Sequence, residues 1–270
     1  MRIAVVQQDH NPGQVEKKRA KAAGYARQAL ASGADLILFH EELLVGCSRQ
    51  GAVLSEPVDG PTTHAFLQLL QGTDAVLVYG LTKIDGPDRF ISAPVLSRTG
   101  LIANYRKTHL WWNSTGLRQE TAFYKPGNQL VYFELRGSKI GVMICYDSDF
   151  PEMARTYAKR VCSILLLLNN HTSRGHQDRV SAQASDNSLI FAVSCCCGLD
   201  EKGTLGGGGS NITDDQGGLV TEIWDREGII YADLDPSTAL AHREKNRGIK
   251  RDGPNYTDKA GGNIHGQTQR

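Results

Sequence analysis

Short apolar runs alternate with longer amphipathic stretches along most of the chain. Residues 2–7 read as a strand. Residues 14–32 carry Val15, Ala22, Ala26 and Ala29 on one face and charges elsewhere, the period of an amphipathic helix. A short apolar strand covers 35–39. A polar loop with Pro57, Gly60 and Pro61 leads into a helix near 62–71, and 75–84 reads as one further strand. Continuous apolar strands of this kind suit sheets covered on both faces. Residues 89–96 and 101–106, joined by Ser97-Arg98-Thr99-Gly100, carry the signal of an antiparallel hairpin. Strand 139–145, helix 150–160, strand 163–169, helix 176–188 and strand 189–197 follow. Strands 210–213, 219–224 and 229–234, separated by two tight turns, then predict a three-stranded meander. The two halves loosely repeat each other as αβαβ and a hairpin. This order predicts an α/β fold, a four-layer α-β-β-α sandwich of two mixed sheets packed face to face with helices outside. Residues 1–250 are expected to form one domain, and the polar stretch 251–270 an extended tail.

Composition narrows the function. Hydrophobic residues make up 40% and charged residues 22%, the balance of a globular protein. The net charge is +1, from 30 basic and 29 acidic residues, with no basic face, so nucleic acid is not an expected partner. No apolar run approaches the ~18 residues of a membrane span. Residues 1–6 are too short and too strand-like for a signal peptide, and a cytoplasmic location is expected. Of six cysteines (Cys47, Cys145, Cys162, Cys195, Cys196 and Cys197) three are consecutive, which is no disulfide framework. On a strand Cys195 and Cys197 would share one face and Cys196 the other, as small core residues; a metal or redox site there is the rival reading. There is no C-x-x-C pair, and His171 and His176 lack zinc-ligand spacing to any cysteine pair. No metal and no cofactor is expected. The glycine run 206–209 is followed by no Gly-Lys-Ser/Thr, so it predicts a close backbone approach at a strand entrance rather than a phosphate loop.

Three segments carry candidate chemistry. Cys145 ends an apolar run and precedes Asp149 and Glu152, which read as a helix start. A thiol at a strand-to-helix turn meets exposed N–H groups and the positive end of a helix, which favour a thiolate and an oxyanion. The strand at 35–39 delivers Glu41 and Glu42 to its C-terminal edge, where ligands gather in α/β sheets. A carboxylate beside apolar surface has a raised pKa and suits a general base. Lys107 leaves the hairpin towards the same edge, where an ammonium can stabilise an oxyanion. His109 is a second candidate base.

Taken together, Phe39-x-Glu41 with Gly46 five residues on, Tyr105-Arg106-Lys107-x-His109-Leu110, and Cys145-Tyr146-Asp147-x-x-Phe150-Pro151-Glu152 resemble the nitrilase superfamily of carbon–nitrogen hydrolases. The resemblance covers roughly residues 1–250. It implies Cys145 as nucleophile, Glu41 as general base, Lys107 as oxyanion stabiliser and the backbone N–H of Tyr146 as a second oxyanion donor. It also implies that Glu120, seven residues before Gly127, orients Lys107 or the substrate. His171 and Arg174 stand where members of the family often contact substrate, and Arg174 could grip a carboxylate. The family's usual proline before the glutamate is His40 here, which leaves Glu42 as a competitor of Glu41; the spacing to Gly46 favours Glu41. Trp111-Trp112 would line the pocket or pack into the core. Tyr146-Asp147 resembles the amide and carbamoyl-amide branches. The implied activity is hydrolysis of a small aliphatic amide or N-carbamoyl compound through a cysteine thioester, by a homodimer or larger homo-oligomer. A nitrilase and a non-catalytic interaction module of the same fold are the alternatives.

Overall fold

A computed structural model describes residues 1–9, 14–45, 54–112, 119–170, 173–199 and 205–245. The tail at 251–270, Gly46, Cys47 and His171 lie outside the described residues. The first half supplies β1 (Arg2–Gln7), α1 (Val15–Ala31), β2 (Leu36–Leu38), α2 (Pro61–Leu70), β3 (Val76–Val78), β4 (Leu81–Asp85), β5 (Asp88–Ser97) and β6 (Gly100–Arg106). The second half begins with β7 (Tyr132–Leu135), β8 (Ser138–Ile144), α3 (Pro151–Lys159), β9 (Cys162–Asn169), α4 (Arg174–Asn187) and β10 (Ile190–Cys195). It ends with β11 (Cys197–Leu199), β12 (Leu205–Gly207), β13 (Ser210–Thr213), β14 (Leu219–Ile223), β15 (Gly228–Asp233) and α5 (Ser237–Lys245).

β11 and β12 pair with each other as a small antiparallel ribbon, and the remaining strands build two mixed sheets. One runs β15-β1-β2-β3-β5-β4, with β6 also on β5; the other runs β14-β13-β10-β9-β8-β7. Strand periodicity divides the side chains between layers. Ile3, Val5, Leu36, Leu38, Val76 and Val78 face the core shared with Val142, Ile144, Leu166 and Leu168 of the second sheet. Their alternates Ala4, Val6, Ile37 and Leu77 pack under α1 and α2 against Ala22, Ala26, Ala29 and Phe66. On the other side, Met153 and Tyr157 of α3 and Val180 and Ala184 of α4 cover the second sheet, whose central strand β9 is buried at every residue. The result is a four-layer α-β-β-α sandwich. Among the described residues no helix is long and apolar enough to cross a membrane.

The structure departs from the sequence pattern in instructive places. The three-stranded meander does not form. β13 and β14 pair, but β15 crosses to the other sheet and runs antiparallel to β1, with Arg2 opposite Asp233 and Gln7 opposite Gly228. The crossing is fixed by the Gln7 amide, which donates to the carbonyls of Trp224 and Arg226. Lys21 holds Glu227 from α1 at 2.9 Å. The strand expected at 189–197 breaks at Cys196, whose thiol donates to the Asn170 carbonyl at 3.0 Å; all three consecutive cysteines are buried, as small core residues would be. The close approach expected in the glycine run is found at Gly208: its φ is +59°, and a Cβ there would stand 2.1 Å from the Trp224 carbonyl oxygen. α5 docks through Arg243, whose buried guanidinium donates to the carbonyls of Ala158, Cys162, Asn187 and Ser188 at the ends of α3 and α4 and the start of β9.

The expected strand 75–84 is also split, into β3 and β4, and the cause is Gly80. Its N–H donates to the His40 carbonyl at 3.1 Å and its carbonyl accepts from Leu43 at 3.0 Å. A Cβ at Gly80 would lie 2.4 Å from both Glu42 N and His40 O, so backbone meets backbone where the chain turns after β2. Neither side is a flexible side-chain end that could yield. We therefore expect Gly80→Ala to lower stability by about 1–3 kcal/mol through overpacking, read as a lower urea midpoint at unchanged slope. Wild-type stability in that variant would show that the turn is not clamped there.

Candidate active site

Four strand ends converge. Glu41 opens the turn after β2, Lys107 follows β6, Cys145 follows β8, and Asn169 and Asn170 end β9. β8 and β9 are parallel neighbours, as are β1, β2 and β3, so these C-terminal edges form one rim. His40, standing where the related pattern has proline, secures the first turn with its ring: Nδ1 lies 2.8 Å from the Glu41 carbonyl oxygen. Lys107 is held by its backbone, donating to Ile91 O and accepting from Gly127 N, each at 2.8 Å. Gly127 must be glycine for this, because a Cβ would stand 2.3 Å from Arg106 O.

Cys145 does not sit at the mouth of a long helix. It begins a 3-10 turn, Cys145–Asp149, and α3 starts only at Pro151. Its φ is +45°, a left-handed conformation that costs a non-glycine residue about 1–2 kcal/mol and that persists only where surroundings enforce it. Ser148 Oγ donates to Cys145 O at 2.7 Å, Gln183 Nε2 donates to Ser148 O at 2.8 Å, and His176 Nε2 lies 2.9 Å from Ser148 Oγ. Asp147 is the hub that the sequence did not reveal. Its buried carboxylate accepts from Ile144 N at 2.9 Å, Tyr105 OH at 2.7 Å, Thr108 Oγ1 at 3.0 Å and His109 N at 2.9 Å. It thereby bolts the lysine segment to the cysteine turn. His109 is engaged by the same carboxylate through Nδ1 at 3.0 Å and stacks on Phe150, which gives it a structural place rather than that of a base.

The centre of the site is a buried charge cluster. Lys107 Nζ lies 2.8 Å from Glu41 Oε1 and 2.8 Å from Glu120 Oε1. Glu120 is tied in turn by Trp111 N, which donates to Oε2 at 2.7 Å. Burial alone would lower the Lys107 pKa, but Glu41, Cys145 and Glu120 override it and hold the ammonium well above its usual range. Burial pushes Glu41 up to about 7 against the pull of Lys107. The thiol of Cys145 is pushed up by burial and by Glu41, with Lys107 and a backbone hydrogen bond from Asn170 opposing. Burial and Glu41 thus favour the protonated thiol, which leaves its proton for Glu41 to remove. Glu41 Oε2 is buried with no partner in hydrogen-bond geometry, and the thiol is near enough to lower the proton affinity of the carboxyl. Cys145 itself keeps partial solvent access.

Tyr146 follows Cys145 directly, so its N–H lies beside the sulfur by chain connectivity, and its ring packs edge-on against Phe150. Arg174 is committed elsewhere. It donates to Gln177 and Glu222 and lies 4.2 Å from the Trp224 ring centroid, two-thirds exposed. That geometry leaves its guanidinium engaged rather than reaching towards Cys145. Trp112 is largely exposed, which removes it from the core. Among the described residues no group of His, Cys, Asp and Glu is arranged to hold a metal ion.

Comparison with known proteins agrees with this geometry. The family model described as carbon-nitrogen hydrolase matches residues 2–244. An (R)-stereoselective amidase of Pseudomonas sp. is 29% identical over 212 residues, covering 76% of this chain and 75% of the relative. The omega-amidase NIT2 of Danio rerio is 27% identical over 251 residues, covering 87% and 88%. Among solved structures, an amidase from Nesterenkonia sp. AN1 carrying acrylamide on its active-site cysteine superposes with a TM-score of 0.78 at 25% identity, covering 92% of this chain and 99% of the other. A CN-hydrolase superfamily protein of Xanthomonas campestris with an arsenic adduct in its active site reaches 0.85 at 22% identity, covering 95% and 98%.

The electrostatics predict how the thiol responds to pH. If Glu41 accepts its proton, the rate of Cys145 alkylation by iodoacetamide rises as pH climbs through about 7, where the buried carboxyl ionises. In Glu41→Gln that rise should move above the ordinary thiol range of about 8.5, because the sulfur must then ionise unaided. Identical profiles for the two proteins would contradict the pairing.

Proposed function

The chain belongs to the carbon–nitrogen hydrolase family, and from that premise we propose that it hydrolyses the C–N bond of a small aliphatic amide or an N-carbamoyl compound through a thioester on Cys145. The observation that carries the reading is the Lys107 ammonium fixed at 2.8 Å from Glu41 in one buried cluster; burial and Glu41 push the Cys145 thiol up towards its protonated form. An amide carbonyl is a poor electrophile, so attack needs simultaneous deprotonation of the nucleophile and charge stabilisation at oxygen. Cys145 Sγ bonds to the carbonyl carbon while Glu41 takes the thiol proton. The negative charge moves onto the former carbonyl oxygen, facing Lys107 and the Tyr146 N–H. The intermediate collapses, the C–N bond breaks, and the departing nitrogen receives the proton from Glu41, leaving a thioester. Glu41 then deprotonates a water that attacks the same carbon; sulfur departs with the proton, and the carboxylic acid is released.

Glu120 has a positioning part in this scheme. It gives Lys107 a second carboxylate partner at 2.8 Å and stiffens the segment at Trp111. Two observations favour amides over nitriles: the Tyr146-Asp147 pair after the cysteine and the amidase names of the relatives described above.

An ammonia-release screen over aliphatic amides, N-carbamoyl compounds and nitriles tests the proposal. We expect release from one of the first two classes, and complete loss of turnover in Cys145→Ala with an unchanged circular-dichroism spectrum. Lys107→Met, checked for folding in the same way, should lose about 10²–10³ in kcat as one oxyanion donor disappears. Ammonia release by Cys145→Ala at the wild-type rate, or from nitriles alone, would overturn the assignment.

A further inference from the structure

The proposed chemistry leaves unused a buried carboxyl next to its own general base. Glu42 adjoins Glu41 in the turn after β2, is almost fully buried, and has a φ of +47°. Its carboxyl is gripped from three directions. Thr82 Oγ1 on β4 donates to Oε1 at 3.2 Å, Tyr124 OH donates to the same oxygen at 3.1 Å, and Asn170 Nδ2 lies 3.5 Å from Oε2. Asn170 directly follows β9 of the second sheet, and it is the residue whose backbone hydrogen-bonds the Cys145 sulfur. Its carbonyl is fixed at the same time by the Cys196 thiol at 3.0 Å. Glu42 therefore spans the gap between the turn that carries Glu41 and the strand end that touches the sulfur.

We propose that Glu42 is a positioning residue, which fixes Asn170 and with it the Cys145 sulfur in register with Glu41. The inference rests on the hydrolase reading given above. Misplacing reacting groups by about 1 Å can cost roughly 10²-fold in rate, so a brace across two sheets is a direct route to turnover.

The brace is tuned by charge. The titratable groups that act on Glu42 are Glu41 on its own turn, Lys107 after β6, and Glu120 and Tyr124 before Gly127. Lys83, next to Thr82 on β4, is taken by Asp85 at 2.9 Å. The Lys107 ammonium, which acts on Glu42, is already shared by Glu41 and Glu120. Burial first, and then Glu41, push Glu42 up to about 8, so it keeps its proton through neutrality. Raising the pH through that value adds a negative charge next to Glu41 and the sulfur, where the oxyanion must form. Turnover should therefore decline on the alkaline side, with Glu42 as the group responsible.

The test compares Glu42→Gln and Glu42→Leu in the full chain, using kcat and KM across pH 5–10 and the iodoacetamide rate at Cys145. Glutamine keeps the size and an accepting oxygen but cannot ionise. It should retain most turnover at pH 7 and lose the alkaline decline. Leucine removes the acceptor; kcat should fall by about 10²-fold with KM within about threefold, and the alkylation rate should fall in parallel. Wild-type kcat and alkylation in Glu42→Leu, or an unchanged alkaline limb in Glu42→Gln, overturns the proposal. If the leucine variant does not fold, Tyr124→Phe decides: losing a donor to the carboxylate should shift the alkaline limb to higher pH, and an unmoved limb counts against the idea. If no amide is turned over at all, the hydrolase reading fails, while the alkylation rates still report whether Glu42 holds the sulfur in place.

Discussion

The site depends on burying one ammonium between two carboxylates. Taking such ions out of water costs several kcal/mol each, and only close, well-directed pairing offsets it. Lys107 meets this condition with Glu41 and Glu120, each at 2.8 Å. Once Glu41 ionises, at about pH 7, two carboxylates share one ammonium, and this sets the state of the sulfur beside them. A thiolate there would add a further negative charge, so the proton stays on Cys145 until a base removes it. The arrangement suits a nucleophile made on demand rather than one stored ready.

Such a cluster works only if loops far apart in sequence are held to fractions of an ångström. Two kinds of constraint do this. At Gly80 and Gly127 the backbone of one loop touches the backbone of another, leaving no room for a side chain. At Asp147 a buried carboxylate collects donors from the lysine segment and from the cysteine turn and makes them one unit. The left-handed Cys145 then survives because Ser148, Gln183 and His176 hold the turn from behind.

Much of this was legible in the sequence. The strands and helices were, because continuous apolar runs and amphipathic periods are local signals. So was the set Glu41, Lys107 and Cys145, through the resemblance of their three segments to the nitrilase superfamily. What could not be read were features decided by distant partners. The split at Gly80 depends on the turn at His40, and β15 joins β1 because Gln7 and Lys21 capture the preceding loop. Asp147 looked like a marker of substrate class and proved to be a structural hub. Glu42 looked like a rival to Glu41, and only its three partners from elsewhere in the chain separate the two. Arg174 looked like a substrate clamp until Glu222, forty-eight positions away, was seen to hold it.

The central claim is that Glu41, Lys107 and Cys145 act as a single device. Its sharpest test is the residual kcat/KM of Glu41→Gln, Lys107→Met and Cys145→Ala, each alone and all combined in one chain. A single device predicts strong non-additivity, with any one change costing nearly as much as the triple. Losses that multiply independently, or a Glu41→Gln enzyme working within tenfold of the wild type, would contradict it.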